Sequence, residues 1–135
     1  MPTYFADSWF FIALYDRRDE HHGSTRRILA RRGHDTVFVT HDGILTEVLA
    51  YFAEEGSYTR GVVVEGIRHA LRFYDVLPAD RPLFLAALDR YSARPDKEYS
   101  LVDCMSMIVM EERGIRHVLS NDHHFSQAGF HLVNE

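Results

Sequence analysis

A chain of 135 residues, 46% hydrophobic and 13% aromatic, is long enough for one compact α/β domain, residues 1–135, and too apolar for a disordered protein. The formal net charge of −5 argues against a nucleic-acid partner, yet every basic side chain except Lys97 is an arginine, whose planar fork suits phosphate. A genome rich in arginine codons explains that bias equally well. No apolar stretch is long enough for a membrane span, the first residues lack a secretion signal, and the single cysteine, Cys104, excludes an internal disulfide. These features favour a cytoplasmic protein.

The first half of the chain predicts two strands, each followed by two helices. The strands lie at residues 3–6 and 36–40, and the helices at about 9–15, 20–32, 42–55 and 58–71. Residues 9–15 are continuously apolar, which indicates a buried helix. In the last of these helices Val62, Val63 and Val64 give a competing strand signal.

The second half continues the alternation. Strands are predicted at 73–77, around 118–119 and at 130–133, and helices at about 80–92, 101–112 and 123–127. The segment 101–112 is apolar on nearly all sides, which predicts a central, buried helix that ends at Gly114. Strands that alternate with helices imply a parallel or mostly parallel sheet covered on both faces.

Two aspartates follow predicted strands. Asp7 comes directly after the first strand, and Asp122 shortly after the fourth. Because ligands of open α/β sheets bind outside the carboxyl ends of the strands, we expect both side chains at one cleft. Aspartate is also a favoured N-cap, and for either residue alone that role is an equally good explanation.

Two further acidic residues lie on predicted helices. Glu47 falls about 130° from the centre of its helix's apolar stripe, at about 100° per residue, and is free to face a cleft or solvent. Asp103 completes the Ser-x-x-Asp pattern of a capping box with Ser100, and taken alone this role is favoured over catalysis. Carboxylates repel one another, so a fold that gathers four of them normally needs a bound cation. The set therefore predicts a magnesium- or manganese-dependent phosphodiesterase.

Several segments match a known family. The most specific are Tyr-Ser-Leu-Val-Asp-Cys at 99–104, Gly-Ile-Arg at 114–116, Ser-Asn-Asp-His-His-Phe at 120–125 and Ala-Gly-Phe at 128–130. Asp-Ser-Trp-Phe-Phe-Ile-Ala-Leu at 7–14 and Arg-Asp-Glu-His-His at 18–22 match one subgroup. Over nearly its whole length the chain resembles the PIN-domain ribonucleases, particularly the VapC-like toxins of bacterial toxin–antitoxin modules.

This resemblance implies a Rossmann-like, three-layer α/β/α sandwich with a mostly parallel central sheet. It also implies metal-dependent endonuclease activity on RNA, a cognate antitoxin and a homodimer. The family's four acids fall on Asp7, Glu47, Asp103 and Asp122, which would bind one or two Mg²⁺ or Mn²⁺ ions. We expect direct coordination from Asp7 and Asp103, with the other two acids binding directly or through water.

Three neighbouring positions bear on this site. Ser120 matches a frequent Ser or Thr two residues before the fourth acid, whose hydroxyl lies near the metal. Trp9 stands where many members carry Asn or Ser, and Ser8 could partly replace the missing polar contact. His124 stands where many members have another aspartate and is not counted as a ligand.

Two other functions compete with a nuclease. A non-catalytic PIN-like module would bind RNA or protein, although the presence of all four acids argues against it. Phosphoaspartyl enzymes and receiver domains also place an aspartate after the first strand. The enzymes need a second aspartate where this chain has Trp9, and receivers need a lysine after a late strand, whereas Lys97 precedes the helix of Asp103.

Histidine and arginine patterns are less specific. His21-His22 and His123-His124 lack the i, i+4 pairing of a helical zinc site, and we expect them at the surface or an interface. Arginines cluster on the second and fourth helices, and their role as phosphate contacts, a solvated face or an antitoxin surface stays open. The clusters are Arg26, Arg27, Arg31 and Arg32, and Arg60, Arg68 and Arg72.

Overall fold

The computed structural model describes residues 1–135. Five strands and seven helices follow one another along the chain: β1 (Thr3–Ala6), α1 (Ser8–Tyr15), α2 (His22–Arg32), β2 (Val37–His41), α3 (Asp42–Tyr51), α4 (Gly56–Phe73), β3 (Asp75–Leu77), α5 (Arg81–Ala93), α6 (Leu101–Arg113), β4 (His117–Leu119), α7 (His123–Gln127) and β5 (His131–Val133). None of the helices combines the length and the hydropathy that crossing a membrane requires.

The strands form one sheet in the order β3-β2-β1-β4-β5, and all four pairings are parallel. The chain proceeds outward from β1 through β2 to β3 and then returns to β4 on the other side of β1. Right-handed crossovers therefore place α1–α4 on one face and α5–α7 on the other, in agreement with the packing of α1 on α3 and of α5 on α6. The predicted three-layer α/β/α sandwich is confirmed, and its sheet is parallel throughout.

Apolar side chains fill both spaces between the sheet and its helices. On the α1 side Phe10 and Phe11 are fully buried, and the Phe10 ring stacks on Phe38 of β2 with centroids 5.9 Å apart. On the other side Met107 and Met110 of α6 are fully buried, so the prediction of a central α6 is confirmed. Gly114 ends α6 with a positive φ of 66°, a conformation that glycine adopts without steric cost.

One segment resolves a conflict in the sequence signals. The three valines at 62–64 lie within α4, not in a strand. The buried residues of α4 are Val63, Ile67 and Ala70, a spacing of four and three residues that matches one helical face. Because α4 continues to Phe73, β3 begins at Asp75, two residues later than predicted.

Candidate active site

The carboxyl ends of β1 and β4 form the edge of the sheet where the predicted acids gather. Ala6 of β1 pairs with Leu119 of β4, so the residues that follow the two strands are neighbours. The crossover direction reverses between these strands, and such a switch point leaves a crevice for ligands. Asp7 and Asp122 line a cleft of about 440 Å³ there.

Asp7 is the most deeply buried of the four acids, with 6% of its surface exposed. Its side chain does not cap α1, although the residue occupies the N-cap position. The Ser120 hydroxyl instead donates a hydrogen bond to Asp7 Oδ2 at 2.7 Å. The pKa of Asp7 is raised to about 7, chiefly by burial and to a smaller extent by the carboxylates of Asp103 and Glu47, against the lowering effect of the Ser120 and Ser8 hydrogen bonds. A charged Asp7 is therefore unfavourable unless a cation accompanies it.

Ser120 joins the two strand ends. It is fully buried, and its oxygen accepts a hydrogen bond from the main-chain N–H of Asp122 at 3.1 Å while its hydroxyl donates to Asp7. One hydroxyl thus orients the carboxylate after β1 and the turn after β4.

The capping role predicted for Asp103 is confirmed. The capping box is present, because the Ser100 hydroxyl accepts from Asp103 N at 3.0 Å and Asp103 Oδ2 accepts from Ser100 N at 3.0 Å. The side chain is only 14% exposed, and burial raises its pKa, an effect that the Ser100 bond opposes and the charge of Asp122 reinforces. Both hydrogen bonds of the box leave Oδ1 free to bind a ligand.

Glu47 projects from α3 opposite the side that packs on the core. The residue is solvent-exposed as a whole, with Ile44, Leu45 and Val48 forming the buried side of the helix. Partial burial of the carboxylate nevertheless raises its pKa, the charge of Asp103 raises this pKa further, and a hydrogen bond from the Ser8 side chain lowers it. The effect of Asp103 places Glu47 within electrostatic range of the other acids.

Asp122 and His124 meet Asp103 on the far side of the cleft. Asp122 Oδ1 accepts from His124 N at 2.9 Å and so caps α7, as one of the two sequence interpretations predicted. His124 Nδ1 lies 3.2 Å from Asp122 Oδ1 and 3.3 Å from Asp103 Oδ2. His123 and His124 were expected at the surface or at an interface. The side chain of His123 is exposed, at 72%, whereas that of His124 is largely covered, at 18%.

Sequence reasoning missed a buried histidine beneath this cluster. His41 Nδ1 accepts from Gly43 N at 3.0 Å, and Nε2 lies 2.9 Å from the Ser106 hydroxyl oxygen. Ser106 donates its own hydrogen to Val102 O at 3.0 Å, so the ring must be the donor at Nε2. Burial lowers the pKa of His41 to about 4. This neutral ring links the start of α3, which carries Glu47, to α6, one turn after Asp103.

Aromatic and amide side chains also line the cleft, two of them without an advance signal. They are Trp9, Tyr51 and Asn121. A larger cavity of about 800 Å³ lies next to the cleft between α5 and the start of α6, but its lining includes none of the four acids. Electrostatics and burial, not cavity size, therefore locate the site.

Comparisons with known proteins agree with this geometry. The sequence profile of the PIN domain matches residues 4–131. The chain is 29% identical over 127 residues to the 23S rRNA-specific endonuclease VapC20 of Mycobacterium tuberculosis, an alignment that covers 93% of this chain and 94% of that protein. The crystal structure of VapC20, described as a sarcin–ricin loop cleaving toxin, superposes with a TM-score of 0.84 and 27% identity over 98% of this chain and 99% of that one.

A more distant structure shares the fold alone. FitAcB of Neisseria gonorrhoeae superposes with a TM-score of 0.70 at 15% identity, covering 97% of this chain and 96% of that one. The profile match extends over nearly all of the 135 residues. The chain therefore belongs to the PIN domain family.

Proposed function

We propose that this chain, as a single domain over residues 1–135, is a metal-dependent endoribonuclease that hydrolyses RNA phosphodiester bonds. The observation that carries the proposal is the mutual electrostatic influence of the acids near the switch point of the sheet. Asp103 and Glu47 help to raise the pKa of Asp7, Asp103 that of Glu47, and Asp122 that of Asp103. A relative of nearly the same extent that acts on 23S rRNA supports RNA as the substrate class.

The residues present suit a divalent cation. No lysine or arginine forms an ion pair with any of the four acids, whose only basic neighbours are His123 and His124. Carboxylate oxygens are the hard ligands that Mg²⁺ and Mn²⁺ favour. PIN-domain nucleases generally use a divalent metal, and we propose Mg²⁺ or Mn²⁺ for this chain.

The four acids have two proposed roles. Asp7 and Asp103 would bind the ion directly, and Glu47 and Asp122 directly or through water. When bound, the ion lowers the pKa of a water molecule and stabilises charge that develops on the scissile phosphate. Ser120 holds the Asp7 carboxylate in one orientation, as the Ser100 N–H does for Asp103.

The chain itself supplies no nucleophile in this scheme. Cys104 is fully buried in the core, in keeping with a packing role. Contacts to the RNA backbone would come from the exposed arginines of α2 or α4. Arg32 and Arg60 are already engaged, with Tyr4 Oη at 2.7 Å and Ala53 O at 2.8 Å, so Arg26 and Arg31 are better candidates on α2.

We also propose that the nuclease is the toxin of a toxin–antitoxin module, with a cognate antitoxin as its partner. VapC20, which shares its fold along the whole chain, is described as a toxin. Expression in a bacterial host should arrest growth, and co-expression of the adjacent gene should relieve the arrest. Arrest that is equally strong with Asp7→Asn would contradict this proposal.

A homodimer remains a prediction. The apolar helix α1 packs into the core, where Phe10, Phe11 and Ala13 are fully buried. Large apolar side chains are exposed on α5 instead: Phe84, Leu85, Leu88 and Tyr91.

Cleavage of total RNA by the purified protein tests the enzymatic proposal. We expect cleavage with Mg²⁺ or Mn²⁺, none in EDTA, and loss of activity in Asp7→Asn. The matched control is Asp80→Asn, an exposed N-cap on α5 whose carboxylate accepts from Leu83 N at 3.0 Å. RNA binding without cleavage, and without magnesium binding in a calorimetric titration, would favour the non-catalytic module.

A further inference from the structure

We propose that His124 Nδ1 is an additional ligand of the cation, and that this nitrogen makes the site favour a first-row transition-metal ion over Mg²⁺. The inference rests on the proposed function, since it concerns the ion that the four carboxylates would hold.

The first observation is an unsatisfied nitrogen. His124 Nδ1 is fully buried and forms no hydrogen bond. Carboxylate oxygens of Asp122 and Asp103 lie within 3.2 and 3.3 Å of it, yet neither is aligned for a hydrogen bond. A buried polar atom without a partner is costly and rare, and calls for a specific explanation such as an ion.

The second observation is that these separations suit shared coordination. Two ligands at right angles around an octahedral ion, with bonds of about 2.1–2.3 Å, lie about 3.0–3.3 Å apart. The two distances from Nδ1 to the carboxylate oxygens are 3.2 and 3.3 Å. An ion held by Nδ1 and Asp122 Oδ1, which lie 3.2 Å apart, would give the nitrogen the partner it lacks.

The ring is held in this position from two sides. The main-chain N–H of His124 donates to Asp122 Oδ1 at 2.9 Å, which ties the start of α7 to the acid. The Tyr99 ring packs edge-on against the imidazole with centroids 5.7 Å apart. His124 therefore meets the acids through its backbone and its side chain together.

The chemical consequence is selectivity. Carboxylates and water suit Mg²⁺, whereas imidazole nitrogen favours transition metals, whose affinities rise from Mn²⁺ along the first row. One nitrogen among oxygen ligands should shift the balance toward Mn²⁺ and later ions without preventing Mg²⁺ from binding.

Calorimetric titration with MnCl₂ and MgCl₂ measures this shift. We compare wild type with His124→Asp, and with His34→Asp as a control, because His34 is exposed, lies outside the cluster of Asp122, His123 and His124, and its replacement makes the same change of side chain. We expect the ratio of Mn²⁺ to Mg²⁺ affinity to fall about tenfold or more in His124→Asp, in line with the size of ligand-shell effects. The ratio should stay near the wild-type value in His34→Asp.

Pulsed electron paramagnetic resonance of bound Mn²⁺ gives an independent readout in the unmutated protein. A ¹⁴N coupling in wild type that persists in His34→Asp and disappears in His124→Asp supports the proposal. Mn²⁺ binding that depends on Asp7 but shows no ¹⁴N coupling overturns the role of His124 and leaves the nuclease proposal standing. Absence of any Asp7-dependent binding of Mn²⁺ or Mg²⁺ overturns both.

Discussion

Replacing Asp7 by asparagine should stabilise the metal-free protein at alkaline pH. Asp7 is 6% exposed, and burial raises its pKa from an ordinary value of 3.8 to about 7. Asparagine has nearly the same shape, and its carbonyl oxygen can accept the hydrogen bond from Ser120. It removes the charge that the fold disfavours, and with it a ligand of the proposed metal.

The size of the effect follows from proton linkage. Between about pH 5 and pH 7 the folded wild type keeps a proton on Asp7 that the unfolded chain has lost, so its free energy of unfolding falls as the pH rises. The slope for one proton is about 1.4 kcal/mol per pH unit, or about 3 kcal/mol over this interval. Above pH 7 both states are ionised and the difference stays constant. Asp7→Asn lacks this loss, so its stability relative to wild type should rise by about 3 kcal/mol from pH 5 to pH 8.

Urea unfolding at pH 5 and pH 8 in EDTA measures this difference. Asp80→Asn is the control, since asparagine is an equally good N-cap and the site is exposed; its stability relative to wild type should not change with pH. At pH 8, Mn²⁺ at a hundred times its dissociation constant should raise the free energy of unfolding of wild type by about 3 kcal/mol. The same Mn²⁺ concentration should leave the stability of Asp7→Asn unchanged. A relative stability of Asp7→Asn that is the same at both pH values would refute the reasoning.

Three other changes have expected outcomes. Ser120→Ala removes the hydrogen bond to Asp7, so it should raise the pKa of that carboxyl further. It should also weaken Mn²⁺ binding, measured by calorimetry, about tenfold. The control Ser126→Ala, at an exposed serine, should have neither effect. His41→Ala should cost about 2–4 kcal/mol in urea unfolding at pH 7, through a cavity and two lost hydrogen bonds. The pKa of His41 in the folded state is lowered from 6.5 to about 4, so its contribution to stability should fall as the pH drops from 6.5 toward 4. A contribution that does not change over that range would contradict its burial as a neutral ring. Replacing Arg26 and Arg31 by alanine should reduce the salt dependence of RNA binding, and an unchanged slope would exclude this cluster.

Local sequence patterns predicted the order and type of the elements. Apolar periodicity predicted a helix through the three valines of α4, but the same valines also gave a strand signal. Packing against the core favours the helix. Val63 and Ile67 lie one turn apart on the buried face, so the helix buries both against the core. The exact start of β3 was missed, because boundaries depend on where tertiary packing ends a helix.

The sequence marked the acids of the candidate site as candidates, but it did not mark the groups that hold them in place. Capping patterns involve neighbours in sequence, and the box of Ser100 and Asp103 was visible in advance. The bond from Ser120 to Asp7 joins residues 113 positions apart, and that from His41 to Ser106 joins residues 65 apart. Only the strand order β3-β2-β1-β4-β5 brings such pairs together. The burial of His124 was not predicted for the same reason, because it depends on contact with Asp103.

The central claim is that the four carboxylates form a divalent-metal site that cleaves RNA. The most direct measurement is the initial rate of cleavage of one RNA as a function of Mn²⁺ concentration, beside a calorimetric titration of the same sample, for wild type and Asp103→Asn. The cleavage rate and Mn²⁺ binding should reach half-saturation at the same Mn²⁺ concentration. In Asp103→Asn both curves should shift to higher Mn²⁺ concentration. Cleavage that persists in EDTA, or that is unaffected by Asp103→Asn while binding is lost, would contradict this claim.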